Sequence, residues 1–280
     1  WRLGEWEEAG NLSGVLLTDQ YLNRPMACYR CPIACGRETR APRYGLEKVD
    51  GPEYETIGAL GSTCGVSDIV AVAKANVLCN DYSLDTISTG VVIAWAMECF
   101  EIGLLTLKDT GGIDLRFGNG DAMVQTVEKI GKREGIGELL ALPPLKAAEK
   151  IGGDSKYWLV HAKGQPQPMH EPRLKQGLGI GYAVSPTGAD HCHSIHDTLF
   201  SGQSLDLQRI KTMGILEPLP ARDLSEQKVR LHLYDSTWRH TLNTLVACLL
   251  VKWSYDKMTE VVNAVTGWNS SYMELHKVGE

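Results

Sequence analysis

Three cysteines spaced Cys28-x2-Cys31-x3-Cys35, with Pro32 directly after the second, put three thiols on one short loop. Thiolates are soft, anionic ligands, so three of them with no oxygen donor between favour an iron-sulfur cluster or zinc over magnesium or calcium. A fourth ligand must then come from elsewhere in the chain. Structural zinc ribbons supply a second Cys-x2-Cys or a paired histidine not far downstream. None follows here, and His161 and His170 are too distant and too isolated to complete such a unit. A cluster with one remote cysteine is therefore the better reading. Packing is the alternative, since cysteine often behaves as a small buried apolar residue, and Cys64, Cys79, Cys99, Cys192 and Cys248 are scattered as core cysteines would be. Disulfides fit worst: no secretory signal is visible, and three cysteines this close cannot all pair locally without strain.

Other segments carry titratable groups. Gly51-Pro52-Glu53-Tyr54-Glu55-Thr56 precedes the glycine-rich Leu60-Gly61-Ser62-Thr63-Cys64-Gly65. Glu53 or Glu55 could act as an acid or base if burial raised its pKa, and a solvated loop pair is the competing reading. Leu84-Asp85-Thr86-Ile87-Ser88-Thr89-Gly90 is either a ligand-binding turn or a helix cap. In Gly188-Ala189-Asp190-His191-Cys192-His193, followed by His196 and Asp197, the density of imidazoles suggests proton handling where a lone histidine would suggest packing.

The elements that position these groups read as helices. Ser67-Asp68 caps a 3.6-residue rhythm from Ile69 to an Asn80-Asp81 stop. Ser88 precedes a helix over Val91 to Phe100 closed by Gly103, and Asp121 starts one over Ala122 to Glu134 ended by Gly135. Asp223 to Leu233 and Tyr255 to Val265 are amphipathic, the second followed by Gly267. Tyr157 to Val160 reads as a short strand, but strand and helix do not alternate as a parallel sheet would require. The expected fold is mainly α, in two helical domains, 1–163 and 164–280, divided at Gly164-Gln165-Pro166-Gln167-Pro168.

The chain has 280 residues, 43% hydrophobic and 22% charged, enough for one large domain or two ordinary ones with buried cores. A net charge of -6 with scattered basic residues argues against a nucleic-acid surface. Val91 to Met97, the longest apolar stretch, is too short to cross a bilayer. A cytoplasmic, reducing location is expected. With Trp1 at its start and Gly279-Glu280 closing shortly after a helical stretch, the chain reads as an internal piece of a longer polypeptide.

Taken in order, these segments resemble the aldehyde ferredoxin oxidoreductase family, tungsten- or molybdenum-pterin enzymes, over essentially the whole chain. The resemblance rests on Ala27-Cys28-Tyr-Arg-Cys31-Pro-Ile-Ala-Cys35-Gly36-Arg37, Gly51-Pro-Glu-Tyr-Glu-Thr56, Leu84-Asp-Thr-Ile-Ser-Thr-Gly90, Ala96-Met-Glu-Cys99, Asp109-Thr-Gly-Gly-Ile-Asp114 and Gly188-Ala-Asp-His191. It implies two helical domains that follow an N-terminal β-rich domain, and this chain looks like those two helical domains only, with the N-terminal domain expected to be missing. It also implies a [4Fe-4S] cluster held by Cys28, Cys31, Cys35 and Cys248; spacing alone does not select Cys248. A bis-pterin would contact Asp85, Ser88, Thr89 and Gly90, and also Asn243. There the chain departs from the family's Asp-x-x-Gly-Leu-Cys: it reads Asn243-Thr244-Leu245-Val246-Ala247-Cys248, losing a carboxylate and a glycine.

By the same resemblance the dithiolene sulfurs of the pterins hold the metal, and Glu53 or Glu55, with Glu53 ranked slightly first, and His191 move protons near it. The implied reaction oxidises an aldehyde to a carboxylic acid, with electrons passing through the cluster to ferredoxin or an electron-transfer subunit. Two alternatives stay open: the catalytic subunit of a related tungsten enzyme such as an aromatic acyl-coenzyme A reductase, and a non-catalytic iron-sulfur or zinc module. The Glu-x-x-His motif with which some members bridge subunits through a metal is lacking. The isolated chain is expected to be inactive.

Overall fold

The structure, a computed structural model, describes residues 4–280; Trp1, where the first expected domain opens, lies outside the described residues. The chain divides into two compact units, Trp1–Met169 and His170–Glu280. Both are mainly helical.

Among the described residues of unit 1, a 3-10 helix over Glu7–Leu12 precedes α1 (Gly14–Tyr21) and then a three-stranded antiparallel sheet, β1 (Leu22–Met26), β2 (Gly36–Ala41) and β3 (Leu46–Asp50), in the order β1-β2-β3. The register pairs Met26 with Gly36 and Thr39 with Val49. Nothing in the sequence pattern announces this sheet. Its strands are short and polar, and only Thr39 and Ala41 among their residues are buried, so no clean period-2 alternation can be read. Its importance is positional: the link from β1 to β2 is the cysteine triplet.

After β3 come α2 (Tyr54–Thr56), which runs into a π-helical turn over Ile57–Gly61, then α3 (Ile69–Asp81), α4 (Thr86–Glu101), α5 (Gly120–Lys132), α6 (Ile136–Leu140), α7 (Pro144–Ile151) and α8 (Ser155–Trp158). Asp68 caps α3 as its sequence suggests, accepting the N–H groups of Val70 and Ala71 at 2.9 and 3.2 Å. The next two helices begin earlier than expected, because the caps are Asp85, which accepts Ser88 N–H at 2.7 Å, and Asn119, which accepts Ala122 N–H at 3.1 Å. Ser88 and Asp121 therefore lie inside first turns. Arg133, at φ 55°, closes α5 before Gly135 is reached.

Helix α4 is buried continuously from Thr89 to Met97, the mark of a helix apolar on every side. It packs on the π-turn so closely that a Cβ on Gly90 would sit 2.6 Å from the Ala59 carbonyl carbon, so only glycine permits the contact. The stretch expected to be a strand at Tyr157 to Val160 instead begins inside α8, fixed by Trp95 Nε1–H to Ser155 O at 2.7 Å. A two-residue hairpin, β4 (His161–Ala162) and β5 (Gln165–Pro166), turns through Lys163 and Gly164, both left-handed. Gly164 to Pro168 thus belong to unit 1, and the division falls between Met169 and His170.

Unit 2 contains α9 (Gln176–Val184), α10 (Leu205–Ile210), α11 (Glu226–Thr244), α12 (Tyr255–Thr266) and α13 (Tyr272–Val278). Helix α11 starts later than Asp223 and runs past Leu233 to Thr244; its buried face includes Lys228, His232 and Asp235, polar residues that a hydrophobic rhythm cannot count. Gly267 ends α12 in the left-handed region, as its sequence suggests. Two small cores form here, one around Phe200, Leu207 and Leu231, the other around Trp238, Tyr255 and Met258. Among the described residues no single helix is long and apolar enough to cross a membrane.

Candidate functional site

In unit 1 the β1–β2 link carries Cys28 and Cys35, exposed, and Cys31, half-buried, all as free thiols. Cys31 N–H donates to Cys28 O at 3.0 Å, and Arg30 and Ala34 take left-handed φ of 56° and 51°, so the loop coils tightly between paired strands. The remaining cysteines of this unit differ in kind. Burial pushes the thiols of Cys64, Cys79 and Cys99 up to about 12, which leaves them as protonated core side chains. The donor chemistry of the triplet, three accessible thiols on one loop with no carboxylate between them, fits a thiolate-held metal centre.

Arg37, which the motifs did not single out as functional, ties this loop to the next segment. Its guanidinium donates to Cys35 O at 2.7 Å, Pro52 O at 3.0 Å and the Glu53 carboxylate at 3.0 Å. Glu53 therefore forms a surface ion pair, its side chain 58% exposed. Glu55 is buried, and its Oε2 accepts Met169 N–H at 2.9 Å. A π-helical turn over Ile57–Gly61 follows the helix that carries Glu55; such turns occur often at functional sites.

Of the segment around Asp85, the structure leaves Asp85 exposed at the α4 N-terminus with Ser88 half-buried beside it. Thr89 and Gly90 are buried in packing, Gly90 against Ala59. Asp85 and Ser88 fit a ligand with N–H and O–H groups; Thr89 and Gly90 fit the core.

In unit 2, His191 sits in a histidine cluster. Its ring centroid lies 4.8 Å from that of His170 and 5.8 Å from that of His196, and the rings of His170 and His196 are 4.5 Å apart. His170, isolated in sequence, is brought in by the fold, and Lys175 Nζ lies 2.9 Å from its Nδ1. His191 Nε2 approaches Cys192 Sγ at 3.7 Å, and ligating atoms of Asp190, His191 and Cys192 lie within 4.8 Å of one another. Cys248 and Asn243 are both exposed at the end of α11.

Burial, reinforced by Arg239, His170, Lys175 and His191, pushes the His196 imidazole from 6.5 down to about 2. Folded His196 stays neutral where the unfolded chain takes up a proton, so its contribution to stability is complete above pH 6.5 and is lost as pH falls towards 2. Acid titration of unfolding should show a loss of ~1.4 kcal/mol per pH unit from this residue below its unfolded pKa. His196→Asn should flatten the slope by one proton's worth; an unchanged slope would refute the assignment.

The helical frame with its cysteine loop is that of an oxidoreductase family. Residues 1–280 match the family model described as aldehyde ferredoxin oxidoreductase, domains 2 & 3, and the chain belongs to this family. Tungsten-containing aldehyde ferredoxin oxidoreductase from Pyrococcus horikoshii is 33% identical over 282 residues, covering 99% of this chain and 44% of the relative. The enzyme of the same name from Thermococcus kodakarensis is 33% identical over 280 residues, with the same coverage. An aliphatic sulfonate oxidoreductase, WOR-like subunit, from Pyrococcus furiosus is 28% identical over 258 residues, covering 89% of this chain and 36% of that protein. Among solved structures, the active site complex BamBC of benzoyl coenzyme A reductase with 1,5-dienoyl-CoA shares the fold at TM-score 0.70 and 19% identity, covering 95% of this chain and 44% of that one. The chain thus spans less than half the length of the relatives it matches.

Proposed function

We propose that this chain is the cluster-bearing and proton-handling part of a tungsten- or molybdenum-pterin oxidoreductase that converts an aldehyde to the carboxylic acid. The observation that carries this reading is the contrast among the cysteines: the triplet is accessible on a coiled loop, whereas Cys64, Cys79 and Cys99 are buried and protonated. Cys28, Cys31 and Cys35 hold three irons of a [4Fe-4S] cluster, and the exposed Cys248 supplies the fourth ligand. Oxidation of RCHO and H2O to RCOOH releases two electrons and two protons; a pterin-bound metal would supply the two-electron redox chemistry, and a cluster held by Cys28, Cys31, Cys35 and Cys248 would supply a one-electron path to ferredoxin.

Protein groups position and move protons. Asp85 and Asn243 offer oxygen acceptors to pterin N–H groups, Asn243 without the charge of an aspartate. Glu55, rather than Glu53, is the carboxylate for proton transfer, because Glu53 is held at the surface by Arg37 while Glu55 is buried on a backbone N–H. His191, with His170 and His196 against it, is the proton-relaying group of unit 2.

Cys31→Ala in the full-length enzyme should abolish the electron paramagnetic resonance of a reduced [4Fe-4S] cluster and stop aldehyde-dependent ferredoxin reduction, while Cys79→Ala should leave both in place. Metal analysis should find iron with tungsten or molybdenum. Zinc without iron, or a wild-type ferredoxin rate in Cys31→Ala, would overturn the reading.

A further inference from the structure

The segment that carries Cys248 is held under opposing constraints. Helix α11 ends in a Schellman closure: Ala247 N–H donates to Leu242 O at 2.9 Å and Val246 N–H to Asn243 O at 3.0 Å. This geometry requires a left-handed residue at position 246, the place glycine normally takes, and Val246 occupies it at φ 55°. A β-branched residue there is strained. The Val246 side chain is 92% exposed, so packing does not offset the strain. Relaxation of Val246 towards negative φ would turn the chain that leads to Cys248, two residues on.

The other end of the segment is anchored. Lys252 Nζ pairs with Asp206 Oδ2 at 2.8 Å, and Trp253 packs against the core built on Trp238 and Tyr255. Asp206 is itself fixed. Arg209, its side chain 7% exposed, reaches Asp206 Oδ1 at 3.4 Å and Asp235 Oδ1 at 2.7 Å, while Arg239 holds Asp235 Oδ2 at 2.9 Å. The Arg209 guanidinium lies 5.7 Å from the Trp238 ring centroid and 5.5 Å from that of Tyr255, so it packs on one side against this perpendicular ring pair. A continuous series of charges, Arg239, Asp235, Arg209, Asp206 and Lys252, thus runs from the middle of α11 through α10 to the chain just beyond Cys248.

We propose that Asp206 and Lys252 are positioning residues for Cys248, holding its segment closed against the strain at Val246 and so keeping the thiolate on its iron. The proposal rests on Cys248 as the fourth cluster ligand. Surface ion pairs are usually weak, but this one has a partner already immobilised by a buried arginine, so little ordering entropy remains to be lost when it forms.

The test uses the full-length enzyme and reads the cluster itself. Lys252→Met should accelerate iron release to a ferrous chelator after ferricyanide oxidation by about tenfold, an amount equal to ~1.4 kcal/mol of lost restraint, and should broaden the resonance of the reduced cluster. Lys252→Arg should restore both. Val246→Gly in the Lys252→Met background should return the release rate towards wild type, because the strain that the pair opposes is then gone and the two changes are coupled. Wild-type iron release in Lys252→Met, or no rescue by Val246→Gly, would overturn the proposal. Cys248→Ser separates the two levels: an unaltered resonance in that variant overturns the ligand assignment beneath it.

Discussion

Lys228→Met should destabilise unit 2 more than any other single substitution at a polar residue described above, by about 3–5 kcal/mol. Lys228 and Asp197 form an ion pair with both side chains 0% exposed, Nζ to Oδ1 at 2.5 Å. The carboxylate also accepts Gly177 N–H and Leu178 N–H, each at 3.0 Å, so its charge sits on the first turn of α9, where the helix dipole favours an anion. Lys228 further donates to Pro220 O at 3.0 Å. Removing the lysine strands a buried carboxylate with two peptide donors and no counter-charge. Removing both charges is a different matter: Lys228→Met with Asp197→Asn should recover more than half of the loss, since an amide needs no counter-ion. Denaturant unfolding of the full-length enzyme measures both variants, and a single-variant loss below about 1 kcal/mol would show that water or a neighbouring group satisfies Asp197.

That pair shows where sequence reading stops. Asp197 appears in the sequence beside His193 and His196 and reads as part of a proton-handling run, yet its partner is thirty-one positions away on another helix and its role is to hold α9. The long apolar helices were legible because their signal is local: Asp68 before Ile69, and the unbroken apolar run of α4. The cysteine loop was legible for the same reason. The sheet that presents it was not, since strands with two buried side chains among them leave no periodic trace. Glu53 and Glu55 were inseparable by pattern, because what distinguishes them is the guanidinium of Arg37, set opposite by the pairing of β2 with β3. His170 gave no local signal at all, and Asp85 and Ser88 differ from Thr89 and Gly90 in burial, which falls where α4 leaves its exposed cap and Gly90 meets the π-turn.

Asn243 and Val246 are two of the three departures, with Ala247, from the pattern that the resemblance implies for the segment ending at Cys248, and the structure gives these two different meanings. Asn243 lies in the last turn of α11, its backbone carbonyl accepting Val246 N–H, so its exposed amide is placed by the helix and not by its own chemistry. Exchanging a carboxylate for an amide there changes the charge offered to a ligand without altering the backbone. Val246 alters nothing in hydrogen bonding but adds strain at a left-handed position. On the function proposed above, one substitution would bear on ligand affinity and the other on how firmly Cys248 is delivered.

Glu55→Gln in the full-length enzyme should lower kcat by about 10²- to 10⁴-fold, the range for losing a positioned acid or base, whereas Glu53→Gln should change it by less than about threefold, as for a surface ion pair worth under ~1 kcal/mol. The contrast follows from placement. Glu55 stands in α2 directly before the π-turn, buried, with Oε2 on Met169 N–H at 2.9 Å. Glutamine keeps an oxygen for that N–H and nearly the same volume, so the fold and the cluster are expected to survive and only the ability to exchange a proton is removed. Glu53 lies at the surface with its carboxylate paired to the Arg37 guanidinium. Cluster resonance and unfolding midpoint serve as controls, and both should match wild type in the two variants. If the loss of activity followed Glu53 instead, Arg37 would have to release it during turnover, and Arg37→Met would then raise kcat; with Glu55 as the acting carboxylate, Arg37→Met should act only through the loop that holds Cys35.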